Sequence, residues 1–214
     1  MARPLPDHIH ARLLRTGASA TTEEVVKLAA YLERLAVWNR RINLTAFALD
    51  DPSDDAIDRL IVEPVLASVH VRPDDQTLLD LGSGGGSPAI PLKIMRPQLR
   101  LTMVESRARK AAFLREAVRM SELVQANVEN ERYEQLTGRP ELQGRMDLIS
   151  FRAVRADEAL WRVVRACLAP AGRIIWFGAP AASHAFAAPF VELSRQRLGS
   201  AEGSSWLVVA GQFL

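Results

Sequence analysis

The sequence predicts an α/β fold, a mostly parallel sheet with helices on both faces, closed by an antiparallel hairpin and preceded by a helical extension. Three observations predict it. Short apolar runs alternate with segments of helical period between residues 77 and 177, as strands returning through helices do. The first run, Thr77-Leu-Leu-Asp80-Leu, breaks into Gly82-Ser-Gly84-Gly-Gly86-Ser87-Pro88, which reads as a buried strand, a tight turn and the start of a helix. The last segment, 189–214, holds two alternating runs around Leu198-Gly-Ser-Ala-Glu-Gly-Ser, the pattern of a hairpin.

The 214 residues, 48% hydrophobic, suffice for one large domain with an appendage, divided here into a helical extension over 1–72 and a main domain over 73–214. Residues 1–20 are weakly patterned and read as a loosely ordered lead-in. Thr21-x-x-Glu24 is a capping box, and Val25, Leu28, Ala29, Leu32, Leu35, Ala36 and Ile42 recur at helical spacing up to Asn43. Asn43 and Thr45 offer helix-stop chemistry, while Arg40 and Arg41 suit either a solvated end or contacts to phosphate. An acidic stretch over 50–58 leads into an apolar helical run from 59 to 69, and Arg72-Pro-Asp-Asp75 is the linker to the sheet. The alternation then assigns strands to 77–81, 99–104, 124–128, 146–151 and 173–177, and helices to 88–95, 107–121 and 157–168.

Composition excludes several classes. No apolar run approaches the roughly 20 residues that span a bilayer, and the N-terminus lacks a charged-then-apolar signal, so a soluble cytoplasmic protein without a membrane partner is expected. The single cysteine, Cys167, leaves no internal disulfide and no cysteine-built zinc cluster, and its apolar neighbours make it a core thiol; no metal is expected. Net charge is +2, yet residues 93–119 carry Lys93, Arg96, Arg100, Arg107, Arg109, Lys110, Arg115 and Arg119 against only Glu105 and Glu116. Such a basic face suits an anionic partner such as RNA, or is simply a solvated flank.

The glycine bend narrows the ligand. Gly82, Gly84 and Gly86 can take positive φ and admit a ligand against the backbone, and Pro88 suits a helix's first turn. A dinucleotide loop requires a third glycine where Ser87 stands, and a phosphate-binding Walker loop requires a lysine that is missing. Asp80-x-Gly82-x-Gly84-x-Gly86 instead resembles the pattern of class I S-adenosylmethionine methyltransferases, whose Rossmann-like sheet it implies. A carboxylate there accepts from a cationic ligand and repels a pyrophosphate. Glu105, ending the second strand, is placed to accept from two ribose hydroxyls. A dinucleotide site, or a glycine-rich turn without a ligand, remains the alternative at this point.

Four pieces then occur in one order: Trp38-Asn-x-x-Ile-Asn43-Leu-Thr45, Asp80 through Pro91-Leu, Arg107-Ala-Arg109-Lys110-Ala-Ala-Phe113-Leu114, and Arg152-Ala153. Over roughly residues 25–178 the chain resembles the glucose-inhibited division protein B family, bacterial methyltransferases of guanine N7 in 16S ribosomal RNA. The resemblance implies S-adenosylmethionine as cofactor and 16S rRNA or the small ribosomal subunit as partner; a monomer is expected. It also implies that Gly82 and Ser87 line the donor site, Glu105 binds the ribose, and Tyr133 and Glu134 stand beside the adenine. Arg152 falls on the arginine of the family's active cleft, where it is expected to act as the catalytic arginine that orients the guanine or its phosphate; without the resemblance, an arginine at a strand end is also read as an ion-pair residue. Arg40, Arg41, Asn43, Arg59, Arg109 and Lys110 are the implied RNA-side residues.

The departures are local. The family's R-H-x-x-D-S reads Arg59-Leu60-Ile-Val-Glu63-Pro64, in which only the arginine is expected to persist, and its Lys-Gly at the fifth strand reads Phe177-Gly178. Elimination agrees with the family chemistry. Methylation at cytosine C5 requires a cysteine nucleophile, and Cys167 lies inside a predicted helix. Adenine N6 enzymes carry an Asn/Asp-Pro-Pro-aromatic loop where this chain reads Ser150-Phe151-Arg152-Ala153. Guanine N7 has a free lone pair and no proton, so no general base is required. Two other classes stay open: a methyltransferase with a small-molecule or protein acceptor, suggested by Leu60 and Phe177, and a non-catalytic RNA-binding or donor-sensing relic.

Overall fold

A computed structural model describes residues 3–178, 186, 188–198 and 206–212. The expected turn at Gly199-Ser200-Ala201-Glu202-Gly203-Ser204 lies outside the described residues. The chain forms a seven-stranded sheet in the order β3-β2-β1-β4-β5-β7-β6. Its strands are β1 (Thr77–Leu81), β2 (Arg100–Val104), β3 (Ala126–Glu129), β4 (Met146–Arg152), β5 (Leu168–Gly178), β6 (Phe190–Arg197) and β7 (Trp206–Gln212). The first five pair in parallel; β7 runs antiparallel to β5, and β6 to β7. The predicted hairpin therefore closes the sheet, with β7 inserted between β5 and the edge strand.

Period two along the strands decides what each face carries. Leu78, Leu148, Ile175 and Phe177 belong to a core shared with the N-terminal helices, whereas Leu79, Leu81, Ile149, Phe151, Ile174 and Trp176 belong to the opposite one. The second core is covered by α7 (Glu158–Cys167) and holds an aromatic group of Phe151, Trp161, Trp176, Phe186 and Phe190. Cys167 is buried in it, and burial pushes its thiol up to about 11, as a core thiol requires. By the same alternation Asp80, Ser150 and Arg152 fall on the first face, toward the N-terminal extension.

That extension is more ordered at its start than the pattern suggests. Residues 5–16, read as a loose lead-in, form helix α1 (Leu5–Thr16), ended by Gly17 in the left-handed conformation. Only Ile9 and Leu13 bury fully, too few for a visible period, and α1 is held by these two in the shared core together with Arg12, which reaches Asp58 at 2.9 Å and 2.5 Å and Asp54 at 2.5 Å. Helix α2 (Thr22–Asn39) has the predicted capping box but stops at Asn39, four residues early. The stop is made by Asn39, whose Oδ1 accepts from the amides of Leu44 (2.9 Å) and Thr45 (3.0 Å); Asn43 is exposed and does not perform it.

The acidic stretch is itself helical from Ser53, which caps α3 (Asp54–Ile57). A π-helical turn over Asp58–Val62 follows, then α4 (Glu63–Ala67). Helices α5 (Ala89–Met95) and α6 (Ala108–Met120) complete the first face. Strand β5 begins directly after α7, five residues before the apolar run starts at Arg173, because Leu168 pairs with Met146 across a register shift. No described helix is long and apolar enough to cross a membrane.

Candidate active site

The glycine bend sits at the carboxyl end of β1, where ligands of open parallel sheets bind. Gly82, Gly84 and Gly86 have φ of +71°, +54° and +89°. A Cβ on Gly82 would lie 2.8 Å from Val154 Cγ2, and one on Gly86 2.6 Å from Ile90 Cδ1, so conformation and space both demand glycine there. The bend is tied down from two sides. Gly82 and Ser83 amides donate to the Val104 carbonyl at 2.9 Å and 3.0 Å, and Glu105 accepts from the Gly84 amide at 2.9 Å and from the Arg107 amide at 2.8 Å. From the extension, Tyr31 donates its buried hydroxyl to the Gly85 carbonyl at 2.7 Å, and Ser87 donates to the Leu60 carbonyl at 2.9 Å. Desolvation raises the Tyr31 phenol, which therefore stays protonated as a donor.

Beneath the bend lies a buried polar cluster. Asp80 is 1% exposed; its Oδ1 accepts from Ser150 Oγ at 2.5 Å, while Oδ2 has no hydrogen-bond partner among the described residues. Burial pushes this carboxyl up to about 6, opposed by the hydrogen bond from Ser150 and by the charge of Arg152, while Ser83 Oγ donates to the Asp80 backbone carbonyl at 3.1 Å. Arg152, at the end of β4, has a side chain only 9% exposed. It donates to the Arg59 carbonyl, stands 4.4 Å over the Phe177 ring, and brings Nη2 to 3.0 Å from Glu63 Oε2. Nη2 is within ion-pair distance of Glu63 without hydrogen-bond geometry, so Nε and Nη2 both keep undirected hydrogens. Burial lowers the guanidinium to about 10, with Glu63 pulling it back up, and it remains a cation at neutral pH.

Arg59 binds the same carboxylate, at 3.4 Å to Oε1 and 3.2 Å to Oε2. Sequence reasoning kept only the arginine of R-H-x-x-D-S; the structure corrects this, since Glu63 stands at the position of the acid and carries its charge to Arg152. Glu63, Tyr31 and Ser150 went unnoticed as site residues. The acid's fixed offset of four from Arg59 was the available signal for Glu63. Leu60 and Phe177, the two departures, are 7% and 1% exposed and belong to the first core. The replaced side chains face packing rather than an open substrate surface.

The other expected residues are placed as follows. Asp80, Gly82, Gly84, Gly86, Ser87, Glu105 and Arg152 converge on the bend. Tyr133 begins a 3₁₀ turn (Tyr133–Gly138) beyond β3 and packs on the second core, with Glu134 exposed beside it; no hydrogen bond joins their side chains to the Asp80 cluster. Arg109 is exposed and Lys110 half-buried in the first turn of α6, beside the Glu105 end of β2. Arg40 pairs with Asp50 at 2.5 Å on the surface, and Arg41 and Asn43 are exposed on the turn after α2. That turn reaches the site through Leu44, whose carbonyl would lie 3.3 Å from a Cβ on Gly85. Lys93 leaves the basic face altogether: it is 1% exposed and caps the carbonyls of Pro97 (2.6 Å) and Leu99 (2.5 Å).

A glycine bend between β1 and α5, an acid ending β2 and an antiparallel β7 beside β5 define the class I methyltransferase sheet. Solved structures agree: TrmN from Thermus thermophilus superposes with a TM-score of 0.54 at 19% identity, over 70% of this chain and 49% of that one. A ribosomal protein L11 methylase from Lactobacillus delbrueckii subsp. bulgaricus gives 0.54 at 17% identity, over 70% of this chain and 77% of that one. The family follows from sequence. The model of the rRNA small subunit methyltransferase G family matches residues 24–185, and the chain belongs to that family. Relatives named ribosomal RNA small subunit methyltransferase G include one from Sorangium cellulosum, 33% identical over 90% of this chain and 80% of its own length. Another, from Stenotrophomonas maltophilia, is 36% identical over 80% and 78%. Against the relative from Roseiflexus sp., 33% identical, the match covers 64% of this chain and 58% of that protein.

Proposed function

We propose that this chain transfers a methyl group from S-adenosylmethionine to N7 of a guanine in 16S rRNA of the small ribosomal subunit, as a cytoplasmic monomer. The observation that carries the reading is the set of buried groups under the bend that have no hydrogen-bond partner among the described residues: Asp80 Oδ2, Arg152 Nε, and Arg152 Nη2, which has only its ion pair with Glu63. An amino-acid end requires an acceptor for its ammonium and a planar donor for its carboxylate, and these are the two chemistries left over. S-adenosylmethionine has such an end, and when bound supplies an electrophilic methyl group on sulfur.

Asp80 then holds the ammonium and Arg152 the carboxylate, with Gly82, Gly84, Gly86 and Ser87 against the ligand. Glu105 spends one lone pair of each oxygen on backbone amides and keeps the others for two ribose hydroxyls. Tyr133 and Glu134 flank the adenine. Guanine N7 presents a lone pair without a proton, so this chain's residues need only bind and orient the two reactants, and no side chain of the cluster is required as a base. In this reading residues 1–72 wall the cleft and 73–214 carry the donor site, while Arg40, Arg41, Asn43, Arg59, Arg109 and Lys110 lie on the RNA side.

Calorimetry with the donor and its demethylated product, together with mass mapping of 16S rRNA from cells with and without the gene, tests the proposal. Donor binding and a 7-methylguanosine missing only from the deletion strain are expected. In Arg152→Ala the donor dissociation constant rises about 10- to 100-fold, the loss of one hydrogen-bonded charge partner. A protein that ignores both ligands but binds a nicotinamide cofactor refutes the reading.

A further inference from the structure

The outer face of α6 has an unusual charge arrangement. It carries Arg107 at its N-cap, then Arg109, Arg115 and Arg119, with the half-buried Lys110 toward the packed side, and none of the five has a carboxylate within ion-pair distance among the described residues. Arg115 donates to the Val128 carbonyl, which leaves its charge uncompensated. The helix has a single acid, Glu116, and α2 withdraws it: Trp38 Nε1 donates to Glu116 Oε1 at 3.0 Å, and Arg34 Nη1 stands 3.4 Å from the same oxygen. Trp38 is fixed in turn against Phe113, with ring centroids 5.9 Å apart.

The N-terminal half of the pattern opposes the helix's own stability. The first turn has no acid, cations stand at the positive end of the dipole, and Arg115 and Arg119 are like charges at i,i+4; only Arg119, in the last turn, stands at the end of the dipole that favours a cation. A local rule broken over the first turn points to a partner outside the chain. The exposed stripe also contains Ala108, between Arg107 and Arg109, and Ala112, between Arg109 and Arg115, where a backbone can approach closely. Its near end adjoins Glu105 and the glycine bend; its far end, at Arg119, is about 18 Å away at 1.5 Å per residue.

We propose that the outer ridge of α6 is a track for the RNA sugar-phosphate backbone, leading from the donor site at Arg107 to Arg119, with Trp38 and Arg34 keeping it cationic by holding Glu116 aside. This rests on the reading of the chain as an rRNA methyltransferase, and adds Arg107, Arg115 and Arg119 to the substrate surface. Trp38 and Arg34 thereby acquire a role in substrate recognition without touching the substrate.

The test compares full-length wild type, R115Q/R119Q and R100Q/R145Q, the last pair being exposed and unpaired at the opposite ends of the strands. Binding to 16S rRNA transcribed without modifications is followed between 50 and 300 mM salt, with donor affinity measured in parallel. Two phosphate contacts to single-stranded RNA account for about 1.4 of the log-log slope, so R115Q/R119Q is expected to lose that much while its donor affinity is unchanged. R100Q/R145Q is expected to keep the wild-type slope. Normal methylation with an unaltered slope in R115Q/R119Q overturns the track alone, and an equal loss in R100Q/R145Q overturns it in favour of diffuse attraction. A wild type that binds the donor but no RNA sinks the track and the RNA reading together.

Discussion

Replacing Glu63 with Gln removes one charge and almost no volume, and isolates what holds Arg152. Glu63 and Arg152 side chains are each 9% exposed, so solvent screens their interaction little. Removing one partner of a buried pair costs about 3–5 kcal/mol because the survivor is left charged and dry. The Arg59 carbonyl and the Phe177 ring still hold the guanidinium, which puts the expectation at the low end, about 3 kcal/mol. For a chain of this length that is a fall of roughly 6–12 °C in melting temperature. Urea unfolding of wild type, E63Q, R152M and the double variant gives the coupling directly. With both charges gone the dry guanidinium no longer has to be compensated, so the double variant is less destabilised than the sum of the singles by about 1–3 kcal/mol. E63D, which restores the family's acid, recovers most of the loss. Additive effects, or an E63Q change below about 0.5 kcal/mol, refute the claim that Glu63 holds Arg152.

Gly86→Ala forces a Cβ to 2.6 Å from Ile90 at a φ of +89°, and is expected to cost about 1–3 kcal/mol and to weaken donor binding at least about tenfold. Gly138→Ala, with open space and no positive φ, leaves donor calorimetry unchanged; equal effects at the two sites contradict the cradle. Tyr31→Phe strands the Gly85 carbonyl and costs about 1–3 kcal/mol in urea unfolding. The Asp80 carboxyl is raised from 3.8 to about 6 in the folded state, so its contribution to stability is fully present below pH 3.8 and is lost as pH rises through 6. The loss approaches about 3 kcal/mol for a shift of about two units, and Asp80→Asn removes that pH dependence. Donor affinity runs the other way, declining as pH falls through about 6, because the ammonium requires the charged carboxylate. Calorimetry between pH 5 and 7, where a free α-amino group stays protonated, checks this, and a flat profile assigns the ammonium elsewhere.

The parallel sheet was legible because β1, β2 and β4 are short apolar runs with a turn signal at their ends, and 77–81 appears at the predicted bounds; β3, with only Ala126 and Val128 apolar, and the early start of β5 were less so. The glycine bend was legible because its chemistry is covalent: positive φ and missing Cβ atoms are properties of the residue, not of its surroundings. What the sequence hid depends on distant partners. Helix α1 has little apolar period of its own, and the arginine that anchors it finds its carboxylates 42 and 46 residues away. Glu63 reads as an ordinary helix acid until β4 brings Arg152 beside it, 89 positions on. Lys93 counted as surface charge until its carbonyl partners were in place. Asn39 was overshadowed by Asn43 because both suit a helix end, and only the return of the chain at Leu44 and Thr45 selects between them.

The π-helical turn at Asp58–Val62 explains why the extension and the donor site form one unit. Widening a helix by a residue per turn frees and reorients carbonyls that a regular helix would engage internally, and such turns recur at functional sites. Here two consecutive carbonyls point inward: that of Arg59 accepts from Arg152, and that of Leu60 accepts from Ser87. One local irregularity therefore grips both the end of β4 and the start of α5, which flank the bend on either side. Tyr31 grips the bend itself at Gly85. The extension shares a continuous apolar core with the sheet, from Ile9 and Leu35 through Leu78 to Phe177, so it cannot leave without exposing that face. Donor affinity and the folding of the first 72 residues are then linked quantities, because any ligand that binds only the assembled bend stabilises everything that assembles it. On the proposed function, that linkage gives a physical reason for the buried Glu63: its charge fixes the guanidinium of Arg152 before a ligand arrives.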